Sequence, residues 1–235
     1  MRNYKKIKSL GDYLVLDEPM KVYVPNPSNF PQESQFILRM LLQPKYCNGL
    51  YIPSEVNWLS DIIKQISFFD QVFTGIEDNW VYITVRHGDA AEFNDNQWHF
   101  DGASFKTETI PERDYIWCSH SPTEYKTGDI TLPSDFDPIK HNIFNFVADE
   151  LRDEPIKTIE SKQWYLLNPF CFHRCPRIVK GISRTFIRVS FIDVELRDSN
   201  NTQNPFLPTD AYGRDAVKTF RNLLSNYQSN GNNKI

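Results

Sequence analysis

The chain has 235 residues, 40% of them hydrophobic and 14% aromatic, which is material for one sizeable core and requires no second domain. Its 26 Lys and Arg against 30 Asp and Glu give a net charge of −4, which argues against a generally sticky polyanion binder. No apolar run approaches the roughly 18 residues of a membrane span. The basic stretch "MRNYKKIKSLGDY" lacks the apolar segment of a secretory signal, and 4 scattered cysteines are too few for a disulfide scaffold, so the expected location is cytoplasmic.

In chain order, "GDYLVLDEPMKVYVP" reads as two short strands about a turn at Asp17–Pro19, and "NPSNFPQES" as a loop. "SEVNWLSDIIKQISFFDQVF" spaces Val56, Leu59, Ile63, Ile66 and Phe69 or Asp70 along one helix face, with Ser54 as its N-cap. From Trp80 the pattern changes to alternation. "WVYITVRHG", "RDYIWCSHS", "KQWYLLNPFCFHRC" and "GISRTFIRVSFIDVE" read as strands. Among them, "DPIKHNIFNFVADELRD" is a helix on Ile143, Phe146, Val147 and Leu151. "TDAYGRDAVKTFRNLLSNY" is another, through Val217, Phe220, Leu224 and Tyr227. The expected organisation is a single domain: N-terminal strands and helices over 1–79, a β core over 80–195 and a C-terminal helix over 205–228. A mainly β, mostly antiparallel sandwich or barrel with flanking helices is the economical architecture. There is neither a Gly-rich phosphate loop after a strand nor a G-x-S-x-G turn.

The segment "NDNQWHFDGASF" puts His99 and Asp101 two residues apart, so an extended backbone presents both on one side. A third ligand must come from elsewhere among 5 histidines. His87 falls at a strand end as an exposed turn, His120 precedes Ser121-Pro122, and His141 sits on an amphipathic helix. His173, in the aromatic-rich "NPFCFHRCP", is the best candidate. Cys171 and Cys175 flank it symmetrically, which opens a thiolate zinc site as an alternative. In "SRTFIRVSF", Arg184, Phe186, Arg188 and Ser190 share one face, opposite Thr185, Ile187, Val189 and Phe191. Two arginines on one strand face need anionic partners, and the guanidinium fork matches a carboxylate.

The set His99-x-Asp101, His173 and Arg188-x-Ser190, in this order, resembles the Fe(II)/2-oxoglutarate-dependent dioxygenase superfamily over roughly positions 80 to 195. The resemblance implies a double-stranded β-helix, or jelly-roll, core with Fe(II) held by His99, Asp101 and His173. It implies 2-oxoglutarate as co-substrate, its distal carboxylate on Arg188 with Ser190. Arg184 is the competitor for that role, or else a substrate anchor. Arg184 follows His173 by 11 residues and Arg188 by 15; the longer spacing resembles DNA-methylcytosine oxygenases, the shorter taurine dioxygenase. The implied reaction oxidises a substrate, usually by hydroxylation, with release of succinate and CO2. It needs no side-chain general base.

Arg86, Trp98, Phe100, Tyr115 and Trp117 are candidates to line the substrate pocket, although sheet packing accounts for each aromatic equally well. Segments 90–97 and 121–137 are candidate lids. A small molecule is the expected substrate. Arg174, Arg177 and Lys180 among aromatics leave a nucleotide or nucleic acid open. A non-catalytic metal- or ligand-binding protein on the same barrel is the alternative. No membrane partner is expected, and the sequence sets no oligomeric state.

Overall fold

A computed structural model describes residues 13–47, 49–89, 96–101, 112–136, 141–176 and 181–207. In chain order the strands are β1 (Tyr13–Val15), β2 (Met20–Val22), β3 (Gln35–Gln43), β4 (Trp80–Asp89), β5 (Arg113–Cys118), β6 (Glu124–Lys126), β7 (Asp129–Thr131), β8 (Lys157–Thr158), β9 (Trp164–Leu167), β10 (Phe172–Arg174) and β11 (Ser183–Ile192). Helix α1 spans Ser60–Thr74 and α2 spans Ile143–Glu150.

A large antiparallel sheet runs β2-β9-β5-β11-β4-β3, and a small one runs β10-β6-β8. His99 bridges to His173 and so adds a fourth row beside β10. Followed along the chain, the strands alternate between layers: β4 in the large sheet, His99 in the small, β5 large, β6 and β8 small, β9 large, β10 small, β11 large. Alternation of this kind makes a jelly-roll, a mainly β sandwich flanked by helices.

Period-2 burial assigns each face of the large sheet a job. Val81, Ile83 and Val85 of β4, Ile187, Val189 and Phe191 of β11, and Tyr115 and Trp117 of β5 meet Ile63 and Ile66 of α1 in one cluster. The opposite face looks toward the small sheet. The outer face of the small sheet is covered in turn by α2, where Ile143, Val147 and Leu151 pack with Phe100, Phe170 and Phe172. Asn142 caps α2: its Oδ1 accepts the N–H groups of Phe144 and Asn145 at 2.9 and 3.3 Å.

Several elements differ from the sequence expectation. β3, "QFILRMLLQ", has no counterpart among the expected strands. Ser54 does not cap a helix; a 3-10 turn over Ser54–Leu59 begins after Pro53 with no side-chain cap and runs directly into α1. "KQWYLLNPFCFHRC" is two strands in two sheets, broken where Asn168 Oδ1 accepts the Phe170 N–H. The segment expected as a lid, 121–137, contains β6 and β7, with Ile130, Leu132 and Phe136 buried under α2. Of the other candidate lid, 90–97, residues 90–95 lie outside the described residues, as do Arg177 and Lys180 and all of the expected C-terminal helix beyond Leu207. Among the described residues, no helix is long and apolar enough to cross a membrane.

Candidate metal centre

The site begins with backbone pairing. The His99 N–H donates to His173 O at 2.9 Å and the His173 N–H to His99 O at 3.1 Å, which sets the two residues directly opposite each other. Their rings lie 4.5 Å apart, centre to centre. Asp101, two residues on, returns to the same side. Among the described residues, His99, Asp101 and His173 form one group whose ligand atoms all lie within 4.8 Å of one another. The alternation that gathers these three sends their neighbours away. Trp98 stacks on Phe172 at 5.3 Å on the α2 side of the sheet, with the Arg174 guanidinium 4.5 Å over its ring.

Both imidazoles are held by their inner nitrogens. His99 Nδ1 lies 2.7 Å from Gln97 O, and His173 Nδ1 lies 2.9 Å from Cys171 O. A carbonyl only accepts, so each Nδ1 carries the proton and each Nε2 is the atom left to ligate. Ligating histidines in metal sites are fixed in this way. The third donor, Asp101, is a carboxylate held in its charged form. Burial works against the Asp101 carboxylate, but Arg188 and His173 hold it well below the usual carboxylate range. The donor set of two Nε2 atoms and one carboxylate fits a divalent transition metal of the 2-His-1-carboxylate type.

The opposing wall comes from the inner face of β11 and β5. Arg188 NH1 donates to Asp101 Oδ2 at 2.9 Å and lies 3.9 Å from Asp114 Oδ2. Ser190 Oγ donates to Asp114 Oδ1. Burial and the neighbouring carboxylates Asp114 and Asp101 push Glu112 up to about 8. Arg184 is different in kind. Its Nε donates to His120 O at 3.0 Å and its NH2 to Cys118 Sγ at 3.4 Å, both neutral acceptors. A cavity of about 230 Å³ is lined by the triad and by four arginines, Arg39, Arg86, Arg184 and Arg188.

The cavity thus brings together His99, Asp101, His173, Arg184, Arg188 and Arg86. It does not include the aromatic candidates. Tyr115 and Trp117 project from the other face of β5 into the α1 core, where Tyr115 Oη donates to Asp70 and Trp117 Nε1 to Asn26, each at 2.9 Å. Trp98 and Phe100 lie on the α2 side of the small sheet. Ser190 faces the cavity wall but is engaged with Asp114. His87 is no turn residue: β4 continues to Asp89, and its Nδ1 shares a 2.7 Å hydrogen bond with Thr185 Oγ1. His141 precedes α2 and is exposed. Cys171 is buried between the sheets with Ile116, Ile159, Tyr165 and Leu167, away from the ligand group, which removes the thiolate zinc arrangement.

Sequence reasoning does not reach Arg39, Glu112 and Asp114. A charged residue inside the apolar run "QFILRMLLQ" is the available signal for Arg39. Alternation placing Asp114 opposite Tyr115 is the signal for Asp114.

No protein-family model matches the sequence, and no curated protein matches it. Among solved structures, AviO1 from Streptomyces viridochromogenes Tue57 is similar over 75% of this chain and 78% of its own, at 13% identity and a TM-score of 0.37. EvdMO1 is similar over 74% of this chain at 12% identity and a TM-score of 0.37, and the match spans only 40% of EvdMO1.

Proposed function

We propose that the chain is an Fe(II)/2-oxoglutarate-dependent oxygenase that hydroxylates a small-molecule or nucleobase-type substrate with release of succinate and CO2. The observation that carries this reading is the pair of imidazoles with Nδ1 bonded to backbone carbonyls, converging with Asp101 beside an arginine whose partners among the described residues are neutral. Iron(II) held by His99, Asp101 and His173 supplies the oxygen activation that couples decarboxylation of 2-oxoglutarate to oxidation of the substrate.

The protein's own contribution is placement. Gln97 O and Cys171 O fix the ring orientations, and Arg188 anchors the Asp101 carboxylate. Arg184 is the better supported clamp for the distal carboxylate of 2-oxoglutarate, reversing the preference for Arg188 with Ser190. Arg188 is committed to Asp101 and Asp114, and Ser190 to Asp114, whereas among the described residues the Arg184 guanidinium donates to neutral acceptors.

Anaerobic addition of Fe(II) and 2-oxoglutarate to the protein is expected to give a weak visible charge-transfer band, and Asp101→Ala is expected to abolish it. Arg184→Ala should raise the 2-oxoglutarate concentration for half-saturation by about 30-fold or more, since losing one partner of a buried charge pair costs at least about 2 kcal/mol. A folded wild-type protein without the band would sink the oxygenase reading; a titration unmoved by Arg184→Ala would return the clamp to Arg188.

A further inference from the structure

The cavity holds more positive charge than the triad and its co-substrate need. Arg188 is balanced by Asp101 and Asp114, Arg184 is assigned above, and Arg86 has a partner of its own. Arg39 remains. It lines the cavity from β3, and among the described residues its guanidinium has no hydrogen-bonded or ion-paired partner. Of the carboxylates near it, Asp198 is exposed and receives the Asn200 N–H and side-chain amide on Oδ1 at 2.9 and 3.0 Å. Glu112 lies near enough for the Arg39 charge to favour its ionised form, while burial and the carboxylates Asp114 and Asp101 act against that form.

The backbone goes out of its way to present this side chain. Arg39 has φ +41°, a left-handed conformation unfavourable for arginine, at a bulge where the β3–β4 register shifts between Ile37 and Met40. The bulge is clamped on both sides. The Arg39 N–H donates to Thr84 Oγ1 at 3.1 Å. Next to it, the Leu38 N–H donates to Thr202 Oγ1 at 2.9 Å, and Leu38 O accepts the Thr202 N–H at 2.8 Å. Strain of this sort persists only where the surroundings over-determine it, and it concentrates at functional positions. Arg39 also lines a second cavity of about 320 Å³, which shares Asp198 and Asn201 with the first.

We infer that Arg39 is a substrate-anchoring residue that binds an anionic group, phosphate or carboxylate, at the junction of the two cavities, so that the substrate is a small anion-bearing molecule. The substrate role rests on the oxygenase reading above; the anion site itself does not.

The experiment is calorimetric titration of metal-free protein with inorganic phosphate and, separately, with glutarate. It uses wild type, Arg184→Gln, Arg184→Gln/Arg39→Gln and Arg184→Gln/Arg39→Lys, with folding checked by circular dichroism. Arg184→Gln alone should retain binding of at least one anion. Adding Arg39→Gln should weaken that binding at least tenfold, and adding Arg39→Lys should weaken it less. The anion bound more tightly names the substrate's group. Failure of both anions to bind wild type, loss of all binding in Arg184→Gln alone, or indifference to Arg39→Gln overturns the proposal. Arg39-dependent binding in a protein that gives no band with Fe(II) and 2-oxoglutarate keeps the anion site and rejects the oxygenase reading.

Discussion

Glu112 sits two residues before Asp114, 5% exposed, and among the described residues its Oε1 has no hydrogen-bond partner. Burial, then Asp114 and Asp101, raise its pKa from 4.5 to about 8. Between those two values the folded chain binds a proton that the unfolded chain has released. Stability from this group is therefore complete below about pH 4.5 and is lost as pH rises toward 8. Across that interval each pH step of one costs about 1.4 kcal/mol, so the total is on the order of 5 kcal/mol. Urea denaturation of metal-free protein from pH 5 to 8.5 should show that decline, and Glu112→Gln should flatten it. A variant with the wild-type slope would move the titration elsewhere. At this scale the sequence is legible wherever a residue's period-2 place is enough. Alternation puts His99 and Asp101 of "WHFD" on one side, whereas His173 of "CFHRC" is brought to them by the His99–His173 bridge, which no local pattern announces. The same alternation excludes Trp98 and Phe100, which flank His99 and must face away. Glu112 is illegible: a carboxylate preceding a strand looks the same whether water or Asp114 lies beside it.

At the level of elements, α1 is fastened to β5 by a buried pair as well as by its apolar face. Arg113 donates through Nε and NH2 to the two oxygens of Asp70 at 2.7 and 2.8 Å, and through NH2 to Asn79 Oδ1 at 3.0 Å. Both partners are almost fully buried. Removing one strands the other in the interior and is expected to cost about 3–5 kcal/mol, whereas replacing both by apolar residues of similar volume costs far less. In denaturant titrations, Asp70→Leu should thus be the more destabilised variant. Asp70→Leu/Arg113→Met should recover most of the loss, leaving the penalty of the Tyr115 hydroxyl and Asn79, which each lose a partner. If the double variant were as unstable as the single one, the pair would be contributing net stability. Sequence periodicity finds α1 and yet does not choose between Phe69 and Asp70 for its inner face. Hydrophobicity favours Phe69; Arg113, 43 residues away, decides for Asp70. The same kind of partner explains β3: its apolar run is interrupted by Arg39, and only the bulge against β4 makes sense of the interruption.

Across the whole molecule, the ligands and the charged groups that face Asp101 come from different layers. His99, Asp101 and His173 are carried by the small sheet and the segment beside it, while Arg188 and Asp114 belong to the large one. The mainly β, antiparallel character is readable because it depends on a run of short alternating strands, whereas the jelly-roll form is implied by the family resemblance. The assignment of each strand to a layer is not, since "KQWYLLNPFCFHRC" changes sheets at Asn168 without a break in its hydrophobic pattern. At this point an Asp101 carboxylate oxygen meets Arg188 of the large sheet at 2.9 Å and His173 Nε2 of its own layer at 3.4 Å. A divalent ion bound by the triad ties His99 and His173 to that same carboxylate, and unfolding must release it. Ligand linkage then adds about 2.7 kcal/mol when free metal is at 100 times its dissociation constant. For a domain of this size that raises the melting temperature by roughly 5–10 °C. Anaerobic Fe(II), or Mn(II) as a redox-stable substitute, should produce this rise in wild type and not in Asp101→Ala or His173→Ala. Cys171→Ser should keep the rise, because its side chain packs between the sheets away from the ligand group. A rise that survived Asp101→Ala but vanished with Cys171→Ser would assign the metal to the thiols and displace the triad as its site.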